Sequence, residues 1–135
     1  MVGLQCRHAT PEDDEFIRKL RNQLKASFVH QEDITPEQQT AYMATHRASY
    51  WVCWMDRIPV GFIGIVAHDL RLAVSPDHQR MGVAAHMLQE VLPLFPEAEV
   101  KVKPENLASL AFFQRQGFQP CGTDDRGLIK MQRPL

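Results

Sequence analysis

Gln79-Arg80-Met81-Gly82-Val83-Ala84 is the segment of this chain best suited to hold an anion. An apolar run, Leu72-Ala73-Val74, precedes it and stops at Ser75-Pro76, and Met87, Leu88, Val91 and Leu92 follow at helical spacing. A tight loop that feeds a helix leaves several backbone N–H groups unpaired at the positive end of the helix dipole. Phosphate binds readily there. Gly82 lets the backbone approach the anion because no Cβ intervenes. Gln79 and Arg80 add side-chain donors.

Asn106-Leu107-Ala108-Ser109-Leu110-Ala111-Phe112-Phe113-Gln114-Arg115-Gln116-Gly117-Phe118 reads as a second helix, its apolar residues at helical spacing and Gly117 as a left-handed cap. Together the two segments resemble the GCN5-related N-acetyltransferases, the GNAT family. The family's loop is Gln/Arg-x-x-Gly-x-Gly/Ala after a strand like Leu-Ala-Val, and its helix is Asn-x-x-Ala/Ser-x-x-Phe-x-x-x-Gly-Phe. The resemblance implies acetyl-coenzyme A as acetyl donor and the primary amine of a small molecule as acceptor, with direct attack on the thioester. It implies that Gln79, Arg80, Met81, Gly82, Val83 and Ala84 hold the pyrophosphate. Leu72 and Val74 would hydrogen-bond the pantetheine arm as an added strand does, with Ala73 between them also contacting the cofactor. Asn106, Ser109 and Phe113 would line the arm from the other side. The amide of Ala73 or Val74, with Val74 preferred, would meet the thioester oxygen and stabilise the oxyanion.

Proton transfer is where the chain departs from its relatives. Phe113 stands where many members carry a Tyr acid, and Lys101 where the ribosomal-protein branch carries a Glu. His68 stands where histone-type members carry a Glu base, and an imidazole with a pKa near ~6.5 can accept a proton at neutral pH. Asp69, Glu99 and His78 are other candidate bases. For the acceptor, Arg21 and Asn22, with His30 beyond them, weakly resemble members that acetylate amino groups on nucleotide-linked sugars, with Arg18 and Lys19 nearby as further cations. A protein or peptide acetyltransferase and a non-catalytic acetyl-coenzyme A sensor are the alternative readings.

The elements that must position these residues follow from caps and periodicity. Thr10-Pro11-Glu12-Asp13 and Thr35-Pro36-Glu37-Gln38 are helix starts. Leu4–Ala9, Tyr50–Met55, Val60–Val66, Leu70–Ser75, Glu97–Lys103, Phe118–Thr123 and Leu128–Gln132 read as strands, with a helix from Val83 to about Phe95. The order is β-α-α-β-β-β-α-β-α-β-β: an α/β (α+β) GNAT fold with a mixed, mostly antiparallel sheet of about seven strands and four helices. With 135 residues, the chain is expected to form one domain over 1–135. A net charge of −1 gives no basic stripe for nucleic acid, and no run is long and apolar enough for a membrane. Three scattered cysteines and dispersed histidines predict no metal site and free thiols in the cytoplasm. The expected state is a monomer or homodimer.

Overall fold

A computed structural model describes residues 3–28 and 32–134, so His30 lies outside the described residues. The elements are β1 (Leu4–His8), α1 (Asp14–Gln23), α2 (Pro36–His46), β2 (Tyr50–Met55), β3 (Ile58–Val66), β4 (Asp69–Val74), α3 (Val83–Val91), β5 (Glu99–Val102), α4 (Leu107–Arg115), β6 (Gln119–Thr123) and β7 (Ile129–Gln132). The strands form one seven-stranded sheet in the order β1-β2-β3-β4-β5-β7-β6, and β4–β5 is its parallel pair.

The helix starts obey their caps. Thr35 Oγ1 accepts from the Gln38 amide at 3.1 Å, and Gln38 Oε1 accepts from the Thr35 amide at 2.9 Å, a reciprocal capping box. Asp13 accepts from the Thr10 amide at 2.8 Å, and a short 3-10 turn, Pro11–Asp13, precedes α1. The helix expected to reach Phe95 ends its α-helical part at Val91. Pro93 has no N–H to continue the ladder, and Leu92–Leu94 tightens into a 3-10 turn. β5 is shorter than the expected Glu97–Lys103.

Alternation along the strands builds two apolar layers. On one face Ile63, Ile65, Leu70, Val100 and Val102 pack under α3 and α4, with Met87, Leu88 and Phe113. On the other, Tyr50, Val52, Phe62 and Ala73 pack under α1 and α2, with Ile17, Leu20 and Met43. No described helix is long and apolar enough to cross a membrane.

Candidate active site

The centre of the sheet parts between β4 and β5. Their register holds one bridge, Asp69 to Glu99, and the Glu99 amide donates to the His68 carbonyl at 2.7 Å. Beyond it β4 stays with β3 while β5 stays with β7. The β5-facing edge of β4 is therefore without a strand partner towards its end.

Register decides which backbone groups face that gap. The Ser75 amide donates to the Val60 carbonyl at 2.8 Å, so Ser75, Ala73 and Arg71 aim their peptide groups at β3. Leu72 and Val74 aim theirs into the gap. This corrects the expectation for Ala73: its backbone belongs to the β3 ladder and its methyl group is buried under α1 and α2. Of the two amides left open by the sequence, only that of Val74 is free to meet a ligand, and Leu72 joins it.

The loop after β4 turns through Pro76–His78 and reaches left-handed backbone at Arg80 (φ 65°) and Gly82 (φ 80°). Gly82 is the N-cap of α3, which has no side-chain cap. The first helical bond is His86 N–H to the Gly82 carbonyl at 3.0 Å, so the amides of Val83, Ala84 and Ala85 have no intrahelical acceptor. A Cβ on Gly82 would meet nothing within 4 Å. Arg80 and Met81 are exposed, while the Val83 side chain is buried and offers only its backbone. Gln79 folds back towards the Val74 carbonyl, with Nε2 at 3.5 Å. The unpaired amides and the open space at Gly82 follow directly in the chain on the unpartnered edge of β4.

The parted strands open into a cavity of about 750 Å³. Leu72, Asn106, Ser109 and Phe113 line it on the helix α4 side. Asn106 Oδ1 caps α4 by accepting from the Ser109 amide at 3.2 Å, which leaves the NH2 group of Asn106 for the cleft. Phe113 sits edge-on to Phe118, ring centres 5.4 Å apart. Lys103 bridges the cleft to the segment after α1, with Nζ 2.6 Å from the Ala26 carbonyl. Lys101 is exposed at the rim.

The acceptor side holds a polar network. Arg71 donates through Nη2 to Asp69 at 2.9 Å and through Nη1 to the Tyr42 hydroxyl at 3.1 Å, and the Tyr42 and Tyr50 hydroxyls are 2.8 Å apart. Burial pushes the Tyr50 phenol well above its ordinary range, so it stays protonated. Arg71, Tyr42 and Tyr50 are additions to the residues the sequence singled out. Their signal was faint: Asp69 and Arg71 alternate with Leu70 and Leu72, which puts two charges on one face of a central strand.

Other expected residues lie elsewhere. Ala67 (φ 51°) and His68 (φ 67°) form the β3–β4 turn. His68 is exposed there beside a separate depression and is absent from the cavity wall. A strand rise of ~3.3 Å per residue puts it roughly 20 Å along β4 from Val74. Replacing His68 with Ala is therefore expected to leave the pH–rate profile of acetyl transfer unchanged; a lost acidic limb would return the imidazole to the chemistry as a base. Arg21 does line the cavity, and with Asn22 it also holds the α1–α2 connection. Asn22 gives its NH2 to the Ile34 carbonyl at 3.0 Å and accepts from the Ile34 amide at 2.8 Å, and Arg21 donates to the Glu32 carbonyl at 2.6 Å. Asn22→Ala is expected to cost about 1–2 kcal/mol of stability in a thermal melt, since it leaves the half-buried Ile34 amide without a partner and its carbonyl with Arg18 alone. Arg18 pairs with Glu15 and donates to the same Ile34 carbonyl at 3.1 Å. Glu99 accepts from Gln132 at 3.1 Å. Among the described residues no His, Cys, Asp and Glu side chains gather as a metal ion would need.

A sheet split at its centre, with an uncapped helix start at the mouth of the split, defines an acyltransferase that takes a nucleotide-tailed thioester. The chain belongs to the acetyltransferase (GNAT) family, whose sequence profile matches residues 15–118. It is accordingly an acetyltransferase that uses acetyl-coenzyme A. No curated protein matches the chain. Among solved structures it is similar to ribosomal-protein-alanine N-acetyltransferase from Brucella melitensis, with 20% identity, a TM-score of 0.84, and 97% of this chain and 99% of that one covered. It is also similar to the PaiA N-acetyltransferase of Thermoplasma acidophilum solved with coenzyme A, at 16% identity and a TM-score of 0.69, covering 98% and 99%.

Proposed function

We propose that the chain transfers acetyl from acetyl-coenzyme A to the primary amine of a small molecule by direct attack on the thioester. The observation that carries this reading is the free edge of β4, where Leu72 and Val74 turn their backbone groups away from β3 towards the gap and Leu72 lines a cavity that also reaches α1 and α2. Acetyl-coenzyme A supplies the activated acyl group. The α3 amides and the loop from Gln79 to Ala84 hold its pyrophosphate. An arm that enters from that loop meets Val74 first and Leu72 deeper, so Val74 anchors the arm and the amide it ends on polarises the thioester carbonyl. Such a donor contributes roughly 3–4 kcal/mol to the rate where one has been removed. Asn106 and Ser109 hold the arm from the α4 side. The chain needs no nucleophile of its own, and alignment of the two reactants supplies much of the rate. Phe113 offers no proton, so the thiolate leaves without help from that position.

An amine-library screen with thiol-release detection tests this, alongside calorimetry of coenzyme A binding. Acetylation of at least one small amine is expected, with loss of thiol release when the amine is omitted. Coenzyme A binding with transfer to peptides alone would overturn the small-molecule assignment, and absence of coenzyme A binding would overturn the whole reading.

A further inference from the structure

Either hydroxyl can donate in the Tyr42–Tyr50 bond, and both rings line the cavity, so one phenol proton of the pair is left over in either case; the direction follows from Tyr50 being the more buried of the two. Tyr50 is 3% exposed, and a buried phenol donates its proton to a partner. Its partner is the Tyr42 oxygen at 2.8 Å. Arg71 Nη1 donates to the same oxygen at 3.1 Å. A hydroxyl has two acceptor positions, and these two donors fill both. The Tyr42 proton then has neither neighbour to go to, and Tyr42 lines the cavity. Arg71 uses one N–H on each terminal nitrogen for Tyr42 and Asp69, so it has further donors at the same place. Two sets of donors thus converge on the acceptor side of the cleft, one residue along β4 from the free Leu72 amide.

Asp69 sits beside them, its Oδ2 2.9 Å from Arg71. Side by side, the pair presents a positive end flanked by a hydroxyl and a negative end. A ligand that carries an ammonium and a carboxylate on one carbon is the complement of that arrangement. The whole cavity wall agrees, because acidic and basic side chains line it in equal number. A diphosphate-bearing acceptor would find no surplus of positive charge there.

We propose that Tyr42 and Arg71 recognise a carboxylate on the acceptor, and that the acceptor is a free amino acid whose amino group faces Asp69. This rests on the acetyl-transfer reading above and names the substrate class for it. The amino group enters as ammonium and loses one proton to solvent; the neutral amine forms the N–C bond to the acetyl carbon, the C–S bond breaks to release coenzyme A as its thiolate, and the second nitrogen proton also passes to solvent, leaving the neutral amide.

The test compares matched acceptors on the unaltered protein: common L-amino acids, each beside its carboxamide and its decarboxylated amine. The best amino acid is expected to exceed its decarboxylated amine by about a hundredfold in kcat/KM, since a site built to bond a polar group rejects the analogue without it. Tyr42→Phe is expected to lower kcat/KM for the amino acid roughly tenfold, chiefly through KM, and to leave the decarboxylated amine unchanged. Arg71→Lys should keep part of the preference that Arg71→Ala loses, because lysine keeps the charge but not the fork. Equal use of amino acid and amine overturns the proposal, as does failure to acetylate any amino acid by a protein that binds coenzyme A. An equal loss on both acceptors in Tyr42→Phe overturns the role of Tyr42. Absence of coenzyme A binding would instead remove the acetyl-transfer reading beneath it.

Discussion

Gly82→Asp is expected to weaken coenzyme A binding about a hundredfold while moving the thermal midpoint very little. The two effects separate because the two environments of Gly82 differ. On the folding side, its left-handed φ of 80° disfavours a side chain, but aspartate tolerates that region better than most residues. The added Cβ meets nothing within 4 Å, and a carboxylate at a helix N-cap is favourable for the helix. The net cost to stability is about 1 kcal/mol or less. On the binding side, the new carboxylate competes for the same α3 amides that would hold the diphosphate. It also places a like charge beside it, worth about 4 kcal/mol at ~4 Å near a protein surface, of which partial screening leaves the hundredfold. Gly82→Ala isolates the strain, and its affinity should lie much closer to the unaltered protein. Calorimetric titration with coenzyme A reads both. Wild-type affinity in Gly82→Asp would remove the diphosphate from this loop.

The conformation of the loop was legible because everything that makes it a candidate site is local. A strand end, a proline turn, a glycine and a helix start occupy one short stretch, and the physics of an uncapped helix needs no distant partner. The element order was legible for a similar reason: Thr10 and Thr35 announce their helices, Gly117 (φ 93°) closes α4 as expected, and Pro93 ends α3 earlier than its apolar pattern suggests. Features that depend on pairing were not. Whether Ala73 or Val74 faces the gap depends on a one-residue parity, set by Ser75 against Val60. Asn22 looks like a ligand-binding residue in sequence, yet both ends of its amide bond the backbone of Ile34 across the α1–α2 connection, while Arg21 bonds the Glu32 carbonyl and also lines the cavity. Tyr42 and Arg71 come from a helix and a strand far apart in the chain, and no periodicity links them. His68 matched a family position by counting, but the tight β3–β4 turn takes that position out of the cleft.

Gly64→Ala is expected to cost about 3 kcal/mol and to lower the thermal midpoint by roughly 10 °C. Gly64 lies opposite Tyr50 across the β2–β3 ladder, and the Tyr50 ring occupies the space that a side chain would take. An added Cβ would stand 2.6 Å from Tyr50 Cζ. Neither side can yield cheaply. β3 is a central strand bonded on both edges, and the ring is held by Tyr42 through its hydroxyl and packs near Phe62, 6.1 Å between ring centres. Moving Tyr50 would also release the donor that orients Tyr42, so this variant should lose amino-acid affinity along with stability. A double-mutant cycle separates crowding from a general intolerance of β3. With Tyr50→Ala in the background, the methyl group of Gly64→Ala enters empty space. It should then be neutral, or stabilising by about 0.5–1 kcal/mol, because alanine loses less backbone entropy than glycine. The sign of the Gly64→Ala effect thus reverses with the ring present or absent, and additive energies in that cycle would mean that the ring of Tyr50 is not what the glycine accommodates.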